Sequence, residues 1–244
     1  MPGKKTIVSH RGLSGDEPEN TLEAISASVA RGVEAIEVDV RQTADGVPIL
    51  FHDPSAGGAV VARSTYAELA TRVPDLCTLA EAVDIIPSVC LLDVEIKTPG
   101  IERAVLDVLE PRRRTSSFVI TSFRDEAVAQ AKALDSTIRV GLVLGIDEST
   151  RGIGTRPREL FPLRRLRRSK SDFVVIHKKL FRYGFLRRLA WIGYPVWVYT
   201  VNKPERVMRM LKSPEVTAVV TDRPVEAMEL RDRLEKGQEY SLLR

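Results

Sequence analysis

The chain has 244 residues, 43% of them hydrophobic and 29% charged, which is enough apolar material for one sizeable core and excludes a disordered polypeptide. No apolar run approaches the ~20 residues that span a bilayer. The start, MPGKK, leads into a strand-like TIVSH without the apolar stretch of a signal peptide, so a soluble, cytoplasmic protein is expected.

Short Val/Ile/Leu-rich runs alternate with helix-like stretches, the βα pattern of a parallel sheet. In chain order the runs are Thr6–His10, Ala35–Val40, Leu91–Ile96, Phe118–Thr121, Val140–Leu144, Phe173–Ile176, Val196–Val201 and Val216–Val220, eight in all. Helices are expected between them, among others at Thr21–Arg31, Ile101–Leu109, Glu126–Leu134, Phe181–Ile192 and Glu205–Leu211. Strands this uniformly apolar suit burial on both faces, and eight βα units in about 250 residues fit a (β/α)8 TIM barrel. With no Pro/Gly/Ser linker and no internal repeat, residues 1–244 are expected to form a single domain of the α/β class.

One further run, Val47–Phe51, follows Val40 after only six residues, too few for the crossover that a parallel neighbour needs. Asp45-Gly46 is a strong type I′ hairpin signal, so this run is expected as an antiparallel return from the second strand. A two-residue loop there would pair Ala44 with Val47 and, stepping outward, set Asp39 opposite His52 on one face. A β-bulge would break that register.

Glu37 and Asp39, at i and i+2 on a strand, share a face. Two carboxylates so placed repel unless a positive group sits between them, and a hard divalent cation is the usual solution. The spacing recurs at Asp93, Glu95 and Lys97, and His10 and Arg11 close the first strand. Catalytic groups of (β/α)8 enzymes come from the C-terminal ends of several strands. His10, Arg11, Glu37, Asp39, Glu95 and Lys97 should therefore converge at one mouth, with His52 supplied by the hairpin. Three carboxylates can hold a cation, Arg and Lys can hold phosphate oxygens, and two histidines can serve as base and acid. That inventory suits hydrolysis of a phosphodiester. Taken singly, each residue also has a structural reading as a cap, an ion pair or a packed imidazole.

The same residues carry a resemblance. His10-Arg11-Gly12, Pro18-Glu19-Asn20-Thr21, Glu37-Val38-Asp39-Val40, Thr43-Ala44-Asp45-Gly46-Val47-Pro48 and His52-Asp53 resemble the N-terminal signature of glycerophosphodiester phosphodiesterases. Val94-Glu95-Ile96-Lys97, Tyr199-Thr200-Val201-Asn202 and Thr221-Asp222-Arg223-Pro224 resemble later landmarks of that family. The resemblance implies that Glu37, Asp39 and Glu95 hold one Mg²⁺ or Ca²⁺. His10 and His52 would act as general acid and base, in an order left open, and Arg11 and Lys97 would grip the phosphate. Glu19 would stand behind the residues that touch substrate, and Asn20 would cap the first helix. Whether water or the substrate's own 2-hydroxyl attacks is also left open.

Two departures from the family pattern stand out. Tyr199 occupies a position where the family usually has Trp, so the apolar wall beside the glycerol would gain a polar edge. The insertion between His52 and Glu95 is reduced, which would leave the site more open to lysophospholipids. The implied activity is hydrolysis to an alcohol and sn-glycerol 3-phosphate. The alternatives are a phospholipase D-like cleavage of lysophospholipids and an idle barrel that only binds phosphodiesters. The idle barrel fits poorly, because every implied catalytic position holds a competent residue.

The net charge of +4 is uneven, since Arg156–Lys170 carries seven Arg or Lys against one Glu, a local +6. This stretch is expected as a solvated outer helix with arginine stems laid over apolar surface. Weak docking on an anionic membrane is its alternative role, and nucleic-acid binding is not expected. Cys77 and Cys90 lack a metal-ligand spacing and are expected as buried thiols. His177 is expected to be structural rather than a substrate contact, and Trp197 to pack in the core.

Overall fold

The computed structural model describes residues 4–13, 15–115, 117–145, 162–183, 189 and 191–237. Eleven strands appear among them: β1 Thr6–Ser9, β2 Ala35–Gln42, β3 Pro48–Leu50, β4 Ser55–Ala56, β5 Ala59–Val60, β6 Leu91–Ile96, β7 Phe118–Ser122, β8 Arg139–Leu144, β9 Phe173–His177, β10 Val196–Tyr199 and β11 Val216–Thr221. Eight are parallel and run β1-β11-β10-β9-β8-β7-β6-β2, and β1 also pairs with β2, so the sheet closes on itself. These are the eight apolar runs of the sequence, and the protein is a (β/α)8 barrel.

The helices cover the outside: α1 Leu22–Ala30, α2 Tyr66–Ala70, α3 Leu79–Ile85, α4 Glu102–Val108, α5 Asp125–Leu134, α6 Leu163–Ser169, α7 Pro204–Lys212 and α8 Pro224–Glu235. Threonines start several of them. Thr65 and Thr78 form full capping boxes with Glu68 and Glu81, which satisfies two otherwise unpaired N–H groups at each start. Thr21, not Asn20, caps α1, its Oγ1 accepting from Ala24 N at 3.2 Å. The Phe181–Ile192 helix falls largely outside the described residues, and a 3-10 segment covers Lys178–Tyr183.

Among the described residues a small cluster of Ile49, Ala56, Val61, Leu69 and Leu76 lies under the hairpins, and two further apolar layers build the barrel. The larger lies between strands and helices and includes Ile36, Val38, Leu92, Val94, Val105 and Leu106. The smaller fills the barrel with Val8, Ala35, Val119, Val143, Phe173, Val175, Trp197, Ala218 and Val220. Phe173 and Trp197 stack at 4.7 Å between ring centroids, so Trp197 is core as expected. A Cβ at Gly141 would lie 2.5 Å from the Phe173 ring, and glycine is what lets that ring fill the interior.

The hairpin register differs from the sequence reading. β3 pairs antiparallel to β2 through Val40↔Leu50, Arg41↔Ile49 and Gln42↔Pro48, and Phe51 N donates to Asp39 O at 2.9 Å. Asp39 thus faces Phe51 across the ladder, not His52. The loop closes over three residues, with Gly46 at φ 86°, the three-residue hairpin that needs glycine in the left-handed position. Thr43 selects it, since its Oγ1 donates to Asp45 Oδ1 at 2.5 Å and accepts from Val47 N at 3.0 Å.

The segment between His52 and β6 is short, as expected, and holds the β4–β5 hairpin, a 3-10 turn, α2 and α3. Of the basic stretch, residues 156–161 lie outside the described residues. The remainder forms α6 against α5, where Arg165 donates to Asp125 Oδ1 and Phe123 O, both at 2.8 Å. Cys77 and Cys90 are free and buried, and burial pushes their thiols up to about 12 and about 11. No helix among the described residues is long and apolar enough to cross a membrane.

Candidate active site

β2 and β6 are neighbours, and their register sets Glu37 beside Asp93 and Asp39 beside Glu95. Period-2 geometry turns this set toward the barrel axis, where Glu37, Asp39 and Asp93 are at most 4% exposed. Four carboxylates so close need positive charge. Lys97 Nζ sits 2.8 Å from Asp39 Oδ1 and 2.5 Å from Glu95 Oε1. Arg11 Nε stands 3.0 Å from Asp39 Oδ2, as an ion-pair contact that lacks hydrogen-bond alignment.

Two cationic side chains do not balance four carboxylates, and the acids respond unequally. Burial, then the charges of Asp39, Glu95 and Asp93, hold Glu37 well above the usual range. Burial likewise pushes Asp93 up to about 8, against the opposing Thr121 hydroxyl, which donates to it at 2.7 Å. Burial would also raise Asp39, but Lys97 and Arg11 outweigh it and hold this carboxyl low.

The turn after β1 delivers the next groups. His10–Gly12 form a 3-10 turn with Arg11 at φ 55°, a conformation that costs a non-glycine residue about 1–3 kcal/mol. The turn is held because Arg11 N donates to Glu37 Oε2 at 2.8 Å and Arg11 O accepts from Asn20 N at 2.8 Å. Arg11 Nη1 also contacts both oxygens of Glu19, at 2.7 and 2.8 Å. Asn20 clamps Asp39 through both ends of its amide, donating from Nδ2 to Oδ2 and accepting from Asp39 N, each at 3.0 Å. Asn20 therefore orients a carboxylate, whereas the sequence suggested a helix cap.

His10 and His52 line one pocket together with Arg11, Glu37, Glu95, Lys97 and Tyr199. His52 arrives by its loop, despite the shifted register, because Arg41 grips the His52 carbonyl through Nε at 2.9 Å and Nη2 at 2.7 Å. Each ring engages an aspartate through Nδ1: His10 with Asp222 Oδ1 at 2.7 Å, His52 with Asp53 Oδ1 at 2.9 Å. Tyr199 supplies an aromatic edge, set T-shaped to Phe123 at 6.1 Å and to His177 at 5.4 Å. His177 is absent from the pocket lining, and its Nδ1 accepts from Lys179 N at 3.3 Å.

All eight residues singled out in the sequence thus meet at one end of the barrel. Asp93, Thr121, Phe123, Arg41, Asn202 and Asp222 were given no role by sequence reasoning. The strand-end rule that found His10 also reaches Asp222, which directly follows β11.

The carboxylates suit a cation. Glu37, Asp39 and Glu95 each present an oxygen, all within 4.8 Å of one another. Glu37 Oε1 is buried with no hydrogen-bond partner among the described residues, which is costly for a polar atom unless a ligand takes it. An all-oxygen, carboxylate-rich donor set fits a hard divalent ion such as Mg²⁺ or Ca²⁺.

Residues 10–226 match the model of the Glycerophosphoryl diester phosphodiesterase family. A glycerophosphodiester phosphodiesterase of Caldanaerobacter subterraneus is 27% identical over 164 residues, 57% of this chain and 67% of that protein. Glycerophosphodiester phosphodiesterase 1 of Mus musculus is 50% identical over 48 residues, 20% of this chain and 14% of that protein. Among solved structures, an Oleispira antarctica phosphodiesterase in complex with the product sn-glycerol-3-phosphate superposes with a TM-score of 0.78 at 24% identity, covering 93% of this chain and 96% of that one. With its closed barrel and its run of matched residues from His10 to Glu226, the chain belongs to the glycerophosphoryl diester phosphodiesterase family and is a phosphoric diester hydrolase.

Proposed function

We propose that the chain works as one domain that hydrolyses a glycerophosphodiester to an alcohol and sn-glycerol 3-phosphate. The observation that carries this reading is the cluster of Glu37, Asp39 and Glu95 oxygens, of which Glu37 and Glu95 line the same pocket as both histidines. A divalent cation held by these three carboxylates, Mg²⁺ or Ca²⁺, would neutralise the charge that builds on the phosphate. The product bound in the Oleispira antarctica relative supports the choice of substrate.

The chain's own residues supply the rest. Arg11 and Lys97 bring cationic groups to the pocket to hold non-bridging phosphate oxygens. One histidine takes a proton from the attacking hydroxyl as the other gives one to the leaving alkoxide, worth about 10²–10⁴-fold each. Tyr199 and Phe123 form the wall against which the hydrocarbon edge of the substrate packs.

The brevity of the segment between His52 and β6 favours a second reading, in which the open mouth admits lysophospholipids for phospholipase D-like cleavage. Phosphorus NMR of the products separates the two. Turnover of glycerophosphocholine to glycerol 3-phosphate, with no lysophospholipid consumed, is the outcome expected of the first. Lysophosphatidic or cyclic phosphate formed from lysophosphatidylcholine would establish the second.

A further inference from the structure

We propose that Asp222, held in place by Asn202, is the positioning residue that fixes His10 in its Nδ1–H tautomer and keeps Nε2 for proton transfer. The inference rests on the hydrolytic reading above, in which His10 moves a proton.

The two aspartates that touch the histidines are held differently. Asp53 follows His52 in the chain, and its side chain is 66% exposed. Asp222 comes from the end of β11, far along the chain from His10, and its side chain is 33% exposed. Neither Asp222 nor Asn202 lines the pocket, so both act through His10.

Asn202 fixes the orientation of the whole assembly. Its Oδ1 accepts from Asp222 N at 3.0 Å and from Thr221 Oγ1 at 3.2 Å. With the amide oxygen committed to those donors, its Nδ2 must point the other way, and it donates to Asp222 Oδ2. Asp222 Oδ1 is left to face His10 Nδ1 at 2.7 Å. Burial alone would raise the Asp222 carboxyl, but the donors on His10 and Asn202 hold it below its usual range. An ionised carboxylate only accepts, so the ring proton sits on Nδ1 and the Nε2 lone pair is free for chemistry.

This arrangement makes an unusual demand on the isosteric change. In D222N, Asn202 still presents an N–H to the outer atom of residue 222, so that atom must be the oxygen. The new amide then turns its NH₂ onto His10 Nδ1 and drives the ring to the Nε2–H form. Exchanging the pair, D222N together with N202D, reverses the logic. The N202D carboxylate accepts from the D222N amide and from the backbone N–H of residue 222, and the D222N oxygen faces His10 again.

The chain contains three histidines, so nitrogen-15 NMR of histidine-labelled protein can read each tautomer without substrate. Steady-state rates on bis(p-nitrophenyl) phosphate with Mg²⁺ give the catalytic consequence. D222N is expected to put His10 in the Nε2–H form and to lower kcat at least ~10²-fold, with KM within about threefold. The exchange variant is expected to restore the Nδ1–H form and recover at least ~10-fold of the loss, while D53N leaves the His10 tautomer as it was. D222N with wild-type tautomer and rate, beside an inactive H10A, overturns the positioning inference and leaves the hydrolytic reading standing. An exchange variant that regains the tautomer but no rate overturns it as well. An H10A protein of near-normal rate removes the hydrolytic reading instead.

Discussion

The two ends of the barrel are built from the same strands and do opposite things. β2 contributes Ala35 to the apolar filling and Glu37 and Asp39 to the mouth, and β9 contributes Phe173 and Val175 below His177. β10 places Trp197 in the filling and Tyr199 at the mouth. The lower end is apolar inside and tightly stacked, with Arg139 set over the Phe173 ring at 5.5 Å. Among the described residues the upper end crowds the carboxylates of Glu37, Asp39, Asp93 and Glu95 against Lys97 and Arg11 and leaves a buried Glu37 oxygen unpartnered. Stability should therefore be concentrated below and reactivity above. The mouth carries the cost of burying carboxyl groups, above all Glu37 and Asp93, which the packed end must offset.

That separation can be broken experimentally. The largest effect is expected at the mouth, where His10→Ala and Glu37→Ala should each cost at least ~10²-fold in kcat while shifting the melting temperature by no more than a few degrees. Steady-state kinetics paired with calorimetric melting would check both halves. Unfolding of either variant would show that the mouth also carries the fold.

At the opposite end, Phe173→Ala should cost about 3–5 kcal/mol in urea unfolding, with the rate per folded molecule within about threefold of wild type. A comparable loss of rate would mean that the filling transmits to the site. Gly141→Ala should destabilise by about 1–3 kcal/mol, because its Cβ would sit 2.5 Å from the Phe173 ring.

A smaller effect concerns pH. Asp93 is pushed up to about 8 in the fold from an ordinary 3.8, so the folded state binds the extra proton between those values. In metal-free protein, the contribution of this group to stability should be greatest near the lower value and be lost as pH rises toward 8. Glu37 is shifted in the same direction. Melting curves in EDTA from pH 5 to 8 would show the slope, which Asp93→Asn should flatten. A slope of opposite sign would contradict the buried, protonated acid.

Much of this was legible in the chain because barrel strands are apolar on both faces. Leu91–Ile96 has the same limits in sequence and structure, and the other barrel strands differ by a residue or two at their ends. The same-face rule also placed Glu37 with Asp39, and Glu95 with Lys97. Where the reading slipped, a single side chain decided the outcome. Asp45-Gly46 can close either a two- or a three-residue loop, and the hydroxyl of Thr43 chose the longer one. Asn20 and Thr21 are both competent caps, and contact with Asp39 drew Asn20 away from the helix. The Asp222–His10 bond joins residues 212 positions apart, and only the closure of β1 on β11 brings them together.

Under the proposed function, Glu37, Asp39 and Glu95 would hold one divalent cation on which hydrolysis depends. Calorimetric titration of Mg²⁺ or Ca²⁺ into metal-free protein, with the wild type set beside Glu37→Gln and Glu95→Gln, tests it most directly. A single site in the wild type that both substitutions abolish, with turnover lost in EDTA and restored by the ion, is the predicted result. Unchanged binding in the two variants, or full turnover in EDTA, would contradict it.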